Sequence, residues 1–196
     1  RILDNSSLTR KIFNKDNSII EFLKFHTPRE KAKLNFIKKI IPLKNKKILE
    51  SNCGAGILIR NLKKQSKLTA GLDNNFYRNH IEKGGHKFFS NLKEIQKSKI
   101  KFDVIFSLSE IEHKYDPINF IKDLKKILTK KGVIILRIPN YDNIYAKLLG
   151  KSFFKYDFRI SHNFYFSEKN LDLLFKKLNL KIIKKKGFNE YSFNHL

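Results

Sequence analysis

At 196 residues, with one cysteine and a formal net charge of +24, the chain suffices for a single domain with its own core and has no internal disulfide. No apolar run approaches the ~18 residues of a membrane span and no secretory signal is visible, so a reducing, cytoplasmic setting is expected. The 42 basic residues, against 18 acidic, are overwhelmingly lysine and are spread along the chain. That reads as a generally solvated basic surface; a dedicated nucleic-acid face, with clustered arginine and interleaved aromatics, is the alternative. With no methionine present, Arg1 is not expected to be a translation start, and the chain is expected to be part of something longer.

Residues 1–16 carry no periodicity and read as an irregular arm, followed by a short helix over 17–25. Pro28 suits a first helical turn, and Ala32, Leu34, Phe36, Ile37, Ile40 and Ile41 recur at helical spacing until Pro42, predicting a second helix that caps the sheet near a ligand. Residues 1–45 are thus an arm with capping helices, and the main domain runs over 46–196. It opens with KKILESNCGAGILIRNL (residues 46–62): a buried strand over 47–49, Glu50 at its end, a small-residue turn, and a helix over 57–64. Gly54 and Gly56 let the backbone turn sharply and approach a ligand closely. An acid beside such a turn suits hydroxyl or amino groups, and no GK[ST] follows to make a phosphate loop. Cys53 reads as a small buried residue, not a nucleophile.

KLTAGLD (67–73) is a second apolar strand ending in an acid, Asp73, a position that in doubly wound folds accepts hydrogen bonds from ribose hydroxyls; capping the helix over 75–83 is its alternative role. Gly84-Gly85 closes that helix, residues 86–89 make a short third strand, and 93–99 a polar connection or weak helix. KFDVIFSL (101–108) is the clearest buried strand, continuing into SEIEHKYDP. Asp116 and Pro117 start a helix with an apolar stripe of Ile118, Ile121, Leu124, Ile127 and Leu128, and a fifth strand spans 133–138 before Pro139-Asn140. The aromatic, basic insertion at 141–166 follows a strand's C-terminal end and reads as a lid or substrate wall, with a structural flap as the alternative. Ser167 caps a last helix, residues 180–183 predict a sixth strand, and a seventh falls in 188–196 in part or not at all.

Three of these stretches resemble the motifs of class I S-adenosylmethionine-dependent methyltransferases. Ile48 to Gly56 is similar to the first motif, hh(D/E)hGxGxG, with Asn52 where the first glycine is usual; asparagine tolerates positive φ best among the other residues. Phe102, Asp103, Val104, Ile105, Glu112, His113, Asp116 and Pro117 resemble FDxI…LEHxxDP, and LTKKGVIILRIPN resembles LKPGGxLLhxxPN. The resemblance covers about residues 46–185 and implies a Rossmann-like three-layer αβα sandwich with a mostly parallel sheet of about seven strands. It implies S-adenosyl-L-methionine as cofactor, held by Glu50, Asn52, Cys53, Gly54, Gly56, Asp73, Asn74, Asn91 and Leu108. Asn91 stands near the place of an acid that contacts the adenine amino group.

The implied reaction is an in-line methyl transfer, probing mainly alignment and needing a base only where the acceptor must lose a proton. His113 and His162 are the candidate bases, pocket-shaping being the plainer role of His113. Some quinone O-methyltransferases with a similar EH segment hold a divalent metal there. Here Ser109 stands where the further acid would be and Glu110 is shifted by one, so no metal is expected. The expected acceptor is an oxygen of a small molecule, sugar or lipid-linked intermediate. RNA methylation, or a degenerate fold kept as an interaction module, are the alternatives; a dinucleotide oxidoreductase fits poorly, since no pyrophosphate loop precedes a Tyr-Lys pair.

Overall fold

The computed structural model describes residues 16–152 and 159–187. Five parallel strands form the sheet among these residues: β1 (Lys47–Ser51), β2 (Leu68–Leu72), β3 (Lys87–Phe89), β4 (Phe102–Leu108) and β5 (Leu128–Arg137), in the order β3-β2-β1-β4-β5. The helices are α1 (Asp16–Lys38), α2 (Ile57–Arg60), α3 (Arg78–Lys83), α4 (Leu92–Lys97), α5 (Pro117–Lys126), α6 (Ile144–Leu149) and α7 (Glu168–Lys177).

The apolar runs of β1 and β4 are buried on both faces, as a covered parallel sheet requires. On one face Leu49, Ala70, Leu72 and Ile105 meet Ile95 of α4 and Leu124 of α5; on the other Ile48, Val104 and Phe106 meet Leu34 and Ile37 of α1 and Leu58 of α2. The expected three-layer αβα sandwich is therefore present. Strand order reverses between β1 and β4, so the crevice at their C-terminal ends is the topological switch point where such folds bind ligands. Asp103 of the FDVI stretch is structural: its two oxygens accept from the Lys47 backbone N–H (2.9 Å) and the Thr129 hydroxyl (3.1 Å), pinning the starts of three strands.

Several elements differ from the sequence reading. The two N-terminal helices are one, with Pro28 inside it; proline removes one backbone donor there, and the Thr27 hydroxyl donates to the Leu23 carbonyl in the same turn. The helix expected over 57–64 stops at Arg60 and continues as a 3₁₀ turn at Lys63–Gln65. No sixth strand forms at 180–183, so the sheet has five strands among the described residues and not seven. Asn179 turns at φ 50° and the Leu180 N–H donates to the Phe175 carbonyl of α7 (2.9 Å), so the segment starts by turning back on α7, where the exposed Lys185 pairs with Glu168 (2.8 Å) and Asp172 (2.7 Å). The seventh strand and, save Asp16, the N-terminal arm lie outside the described residues.

Thr69 and His86 form a buried pair at 2.6 Å between β2 and the start of β3. Burial, with Lys63 and Arg60 adding to it, lowers the His86 pKa to about 4. Between about pH 6.5 and 4 the unfolded chain therefore binds a proton that the folded chain refuses, and stability falls as pH drops through that window. Thermal melts should show a loss of roughly 2–3 kcal/mol from this group. His86→Gln should flatten the slope, and an unchanged slope would assign it elsewhere.

Candidate functional site

The glycine loop between β1 and α2 is tied to the end of β2. The backbone N–H groups of Asn52 (2.8 Å) and Cys53 (3.3 Å) donate to the Leu72 carbonyl, and the Gly54 N–H donates to Asp73 Oδ2 at 2.7 Å. Asn52 adopts φ 58°, Gly54 φ 49° and Gly56 φ 69°, so the left-handed conformation expected of asparagine at the first position is realised. A Cβ on Gly56 would run into Ile81, while one on Gly54 would enter open space, so the loop's open side is at Gly54.

That open side faces a cleft whose empty volume, counted out to solvent, is about 600 Å³. Glu50, Asn52, Cys53, Gly54 and Leu108 line it, as does α1 through His26, Glu30 and Lys33. The three α1 residues were missed from sequence; they lie outside the motifs, and only their i, i+4, i+7 spacing on one helix face signals a shared surface. Glu50 is 8% exposed and its Oε2 has no hydrogen-bond partner among the described residues. Burial, and secondarily the nearby Glu30, push its carboxyl well above the usual range, opposed by the Ile59 backbone amide and Lys33. Lys33 pairs with Glu30 at 2.8 Å.

Asp73 accepts from Gly54 and, through Oδ1, from the Asn74 N–H at 2.7 Å. Burial raises its pKa and these two amides oppose the rise. It is thus the brace of the loop, and helix capping falls to Asn74, whose side chain accepts from the Phe76 N–H at 3.0 Å. Asn91 is likewise engaged as the cap of α4, accepting from the Glu94 N–H at 3.0 Å. Gly56, Asp73, Asn74 and Asn91 are not among the residues lining the cleft; Asp73 reaches it only through its bond to Gly54. Cys53 packs with Ile59, Ile81 and Phe88, and burial pushes its thiol pKa up, as suits a structural residue.

Beyond Leu108 the chain turns through Ser109 (φ 53°) into a 3₁₀ helix at Ile111–His113. The insertion returns to this segment. The N–H groups of Asn163 (2.8 Å) and Phe164 (3.1 Å) donate to the Glu112 carbonyl, the Asn163 side chain donates to the His113 carbonyl, and His113 Nδ1 lies 2.7 Å from the Ser161 carbonyl. A carbonyl only accepts, so Nδ1 carries the proton and Nε2 is the basic nitrogen. The two candidate histidines, 49 positions apart, meet edge to face at 4.8 Å, with Tyr165 5.4 Å beyond His162.

Glu112 is 1% exposed, and neither carboxylate oxygen finds a hydrogen-bond partner among the described residues. Burial raises its pKa against the pull of its own N–H, His113 and Arg137. Glu112, His113 and His162 each offer one donor atom, all within 4.8 Å of one another, a carboxylate and two imidazoles that could coordinate a divalent cation. Sequence alone considered a third donor only at Ser109; the fold brings His162 in from the insertion.

A methyltransferase-domain family matches residues 24–185. The ubiquinone biosynthesis O-methyltransferase of Pelagibacter ubique is 33% identical over 107 residues, covering 50% of this chain and 44% of that protein. The tRNA U34 carboxymethyltransferase of Nautilia profundicola is 34% identical over 121 residues, covering 55% of this chain and 39% of that protein. The aligned part therefore spans less than half of either relative. Among solved structures, the magnesium protoporphyrin IX methyltransferase of Synechocystis with bound S-adenosylhomocysteine superposes with a TM-score of 0.55 at 14% identity, covering 78% of this chain and 72% of that one. With a parallel αβα sheet, a glycine loop at its switch point and a family match over most of its length, this chain belongs to the class I S-adenosylmethionine-dependent methyltransferases.

Proposed function

We propose that the domain transfers a methyl group from S-adenosylmethionine to an oxygen of a small molecule, sugar or lipid-linked acceptor. The observation that carries the cofactor site is the buried, unpartnered Oε2 of Glu50 beside the open face of Gly54. Such an oxygen fits an ammonium, and Lys33 across the same cleft fits a carboxylate, so the pair complements the amino-acid end of the cofactor. In this reading Asp73 offers lone pairs to the ribose hydroxyls, Asn52, Cys53, Gly54 and Gly56 form the loop against it, Leu108 packs on the adenine, and Asn74 and Asn91 border it. When bound, the cofactor supplies an electrophilic methyl on sulfur. The chain's contribution is alignment, and at the acceptor a proton-accepting nitrogen.

His113 Nε2 fits that second task, because the Ser161 carbonyl holds the proton on Nδ1 and His162 packs against the ring. Glu112 lies buried beside it, on the same 3₁₀ turn. A divalent cation held by Glu112, His113 and His162 would lower an acceptor hydroxyl's pKa instead. Ser109 supplies no further acid, and we read the pair as the proton acceptor.

The likeness to a ubiquinone O-methyltransferase supports an oxygen acceptor, and the one to a tRNA carboxymethyltransferase, with the charge of +24, supports RNA as the second reading. Methyl-labelled S-adenosylmethionine should be offered with a prenylated catechol and, separately, with total tRNA. Label in the catechol is the expected result. Label in tRNA alone would favour the second reading. No transfer and no cofactor binding by folded protein would leave an interaction module.

A further inference from the structure

Glu110 is 4% exposed, yet it belongs neither to the cleft lining nor to the histidine cluster. Its Oε1 accepts from the Ser51 hydroxyl at 2.9 Å and lies 2.9 Å from the Lys114 ammonium; its Oε2 accepts from the Ser107 hydroxyl at 2.7 Å. Ser51 and Ser107 are register partners at the C-terminal ends of β1 and β4, so both side chains leave the same face of the sheet. They are 2% and 0% exposed, and one carboxylate satisfies both hydroxyls.

We propose that Glu110 is a positioning residue that holds the histidine segment in register with the cofactor loop. Resting on the function proposed above, this assigns the buried carboxylate a role in catalysis without contact to cofactor or acceptor. Ser51 is the last residue before Asn52, where the glycine loop begins, and Glu110 is the cap of the 3₁₀ helix that carries Glu112 and His113. Its carbonyl also accepts from the His113 N–H at 3.1 Å. One side chain thus bridges the roots of both halves of the site across the switch point.

The chemistry explains why an acid stands there. A carboxylate accepts from two hydroxyls and an ammonium at once, and Lys114, one turn on, balances its buried charge. Glutamine keeps the shape but turns an NH₂ towards one serine and gives Lys114 no charge to pair with. Aspartate is shorter by one methylene and reaches one serine but not both. Ser109 is held separately, its N–H donating to the Arg137 carbonyl at 2.8 Å and its hydroxyl bonding the Arg137 guanidinium, so the turn persists when Glu110 is changed.

The test compares wild type, Glu110→Gln, Glu110→Asp and the Ser51→Ala/Ser107→Ala double variant by thermal melting, S-adenosylhomocysteine calorimetry and NMR of the His113 ring. In wild type, ligand is expected to shift the His113 ring signals; Glu110→Gln is expected to remain folded, to bind about 10-fold more weakly, on the scale of one charge-assisted hydrogen bond, and to lose that response. The double serine variant should reproduce this, and adding Glu110→Gln to it should change affinity less than about 2-fold, as members of one network do. Glu110→Asp should recover part of the response. A merely structural carboxylate would lower the melting temperature and leave affinity and the His113 response of the folded fraction at wild-type values, which overturns the proposal. If Glu110→Gln does not fold, Ser107→Ala alone decides by the same two readouts, because Ser51 itself lines the cleft and Ser107 does not. Absence of binding by wild type would overturn the cofactor reading and this proposal with it.

Discussion

Asp73→Ala is expected to weaken S-adenosylhomocysteine binding by about 100-fold, measured by calorimetric titration, while the protein stays folded. Two charge-assisted hydrogen bonds from ribose hydroxyls to one carboxylate, each of order 1.5–3 kcal/mol, are of the size that such a loss requires. The side chain does a second job, since Asp73 Oδ2 holds the Gly54 N–H at 2.7 Å and so sets the loop that faces the cleft. Asp73→Asn separates the two roles. The amide oxygen still accepts from Gly54, while the NH₂ accepts neither from a hydroxyl nor from the Asn74 N–H, so its affinity should lie between wild type and Asp73→Ala. Binding by Asp73→Ala within about 3-fold of wild type would remove Asp73 from the ligand site and leave it a loop brace.

His113→Ala is expected to lower methyl transfer to a hydroxyl acceptor by roughly 10²–10⁴-fold, the usual contribution of a positioned base. S-adenosylhomocysteine affinity should be unchanged, because His113 does not line the cleft and its bonds run to Ser161 and Glu110, whereas Asp73 bonds the glycine loop itself. His162→Ala should cost less, since His162 supports the ring of His113 and Ser161 continues to fix its tautomer. The measurement is single-turnover transfer with the cofactor saturating, so that chemistry is read apart from binding. A loss of cofactor affinity without a loss of transfer rate would make His113 a pocket residue, the plainer of its two roles.

The glycine loop that faces the cleft was legible in the sequence because it is local. A strand, an acid and a small-residue turn lie within ten residues, and the turn's chemistry requires φ > 0 at Asn52, Gly54 and Gly56. Asp73 was equally visible, as an acid at the end of the next buried run. The fates of Asn74 and Asn91 were less so. Asparagine caps helices and contacts ligands with the same carboxamide, and only the observed bonds to Phe76 and Glu94 show which use each makes here. Pro28 misled for a related reason, since a proline that starts one helix also survives inside another where a lost hydrogen bond is tolerated.

By itself the sequence determined the alternation of strands and helices, the glycine loop and the two acids at strand ends, because periodicity and turn chemistry act between residues close in the chain, and the resemblance of its motifs implied the fold class. Tertiary structure decided what depends on contact between distant segments. It brought α1 over the cleft with His26, Glu30 and Lys33, closed the insertion onto Glu112 so that His113 and His162 touch, and drew Ser51, Ser107 and Glu110 into one buried network. It also left residues 180–183 out of the sheet, turned back onto α7 at Asn179 and Leu180. Local patterns carry no information on which distant side chains will share a buried volume, and burial is what turns Glu50, Glu110 and Glu112 from solvated acids into groups whose partners matter.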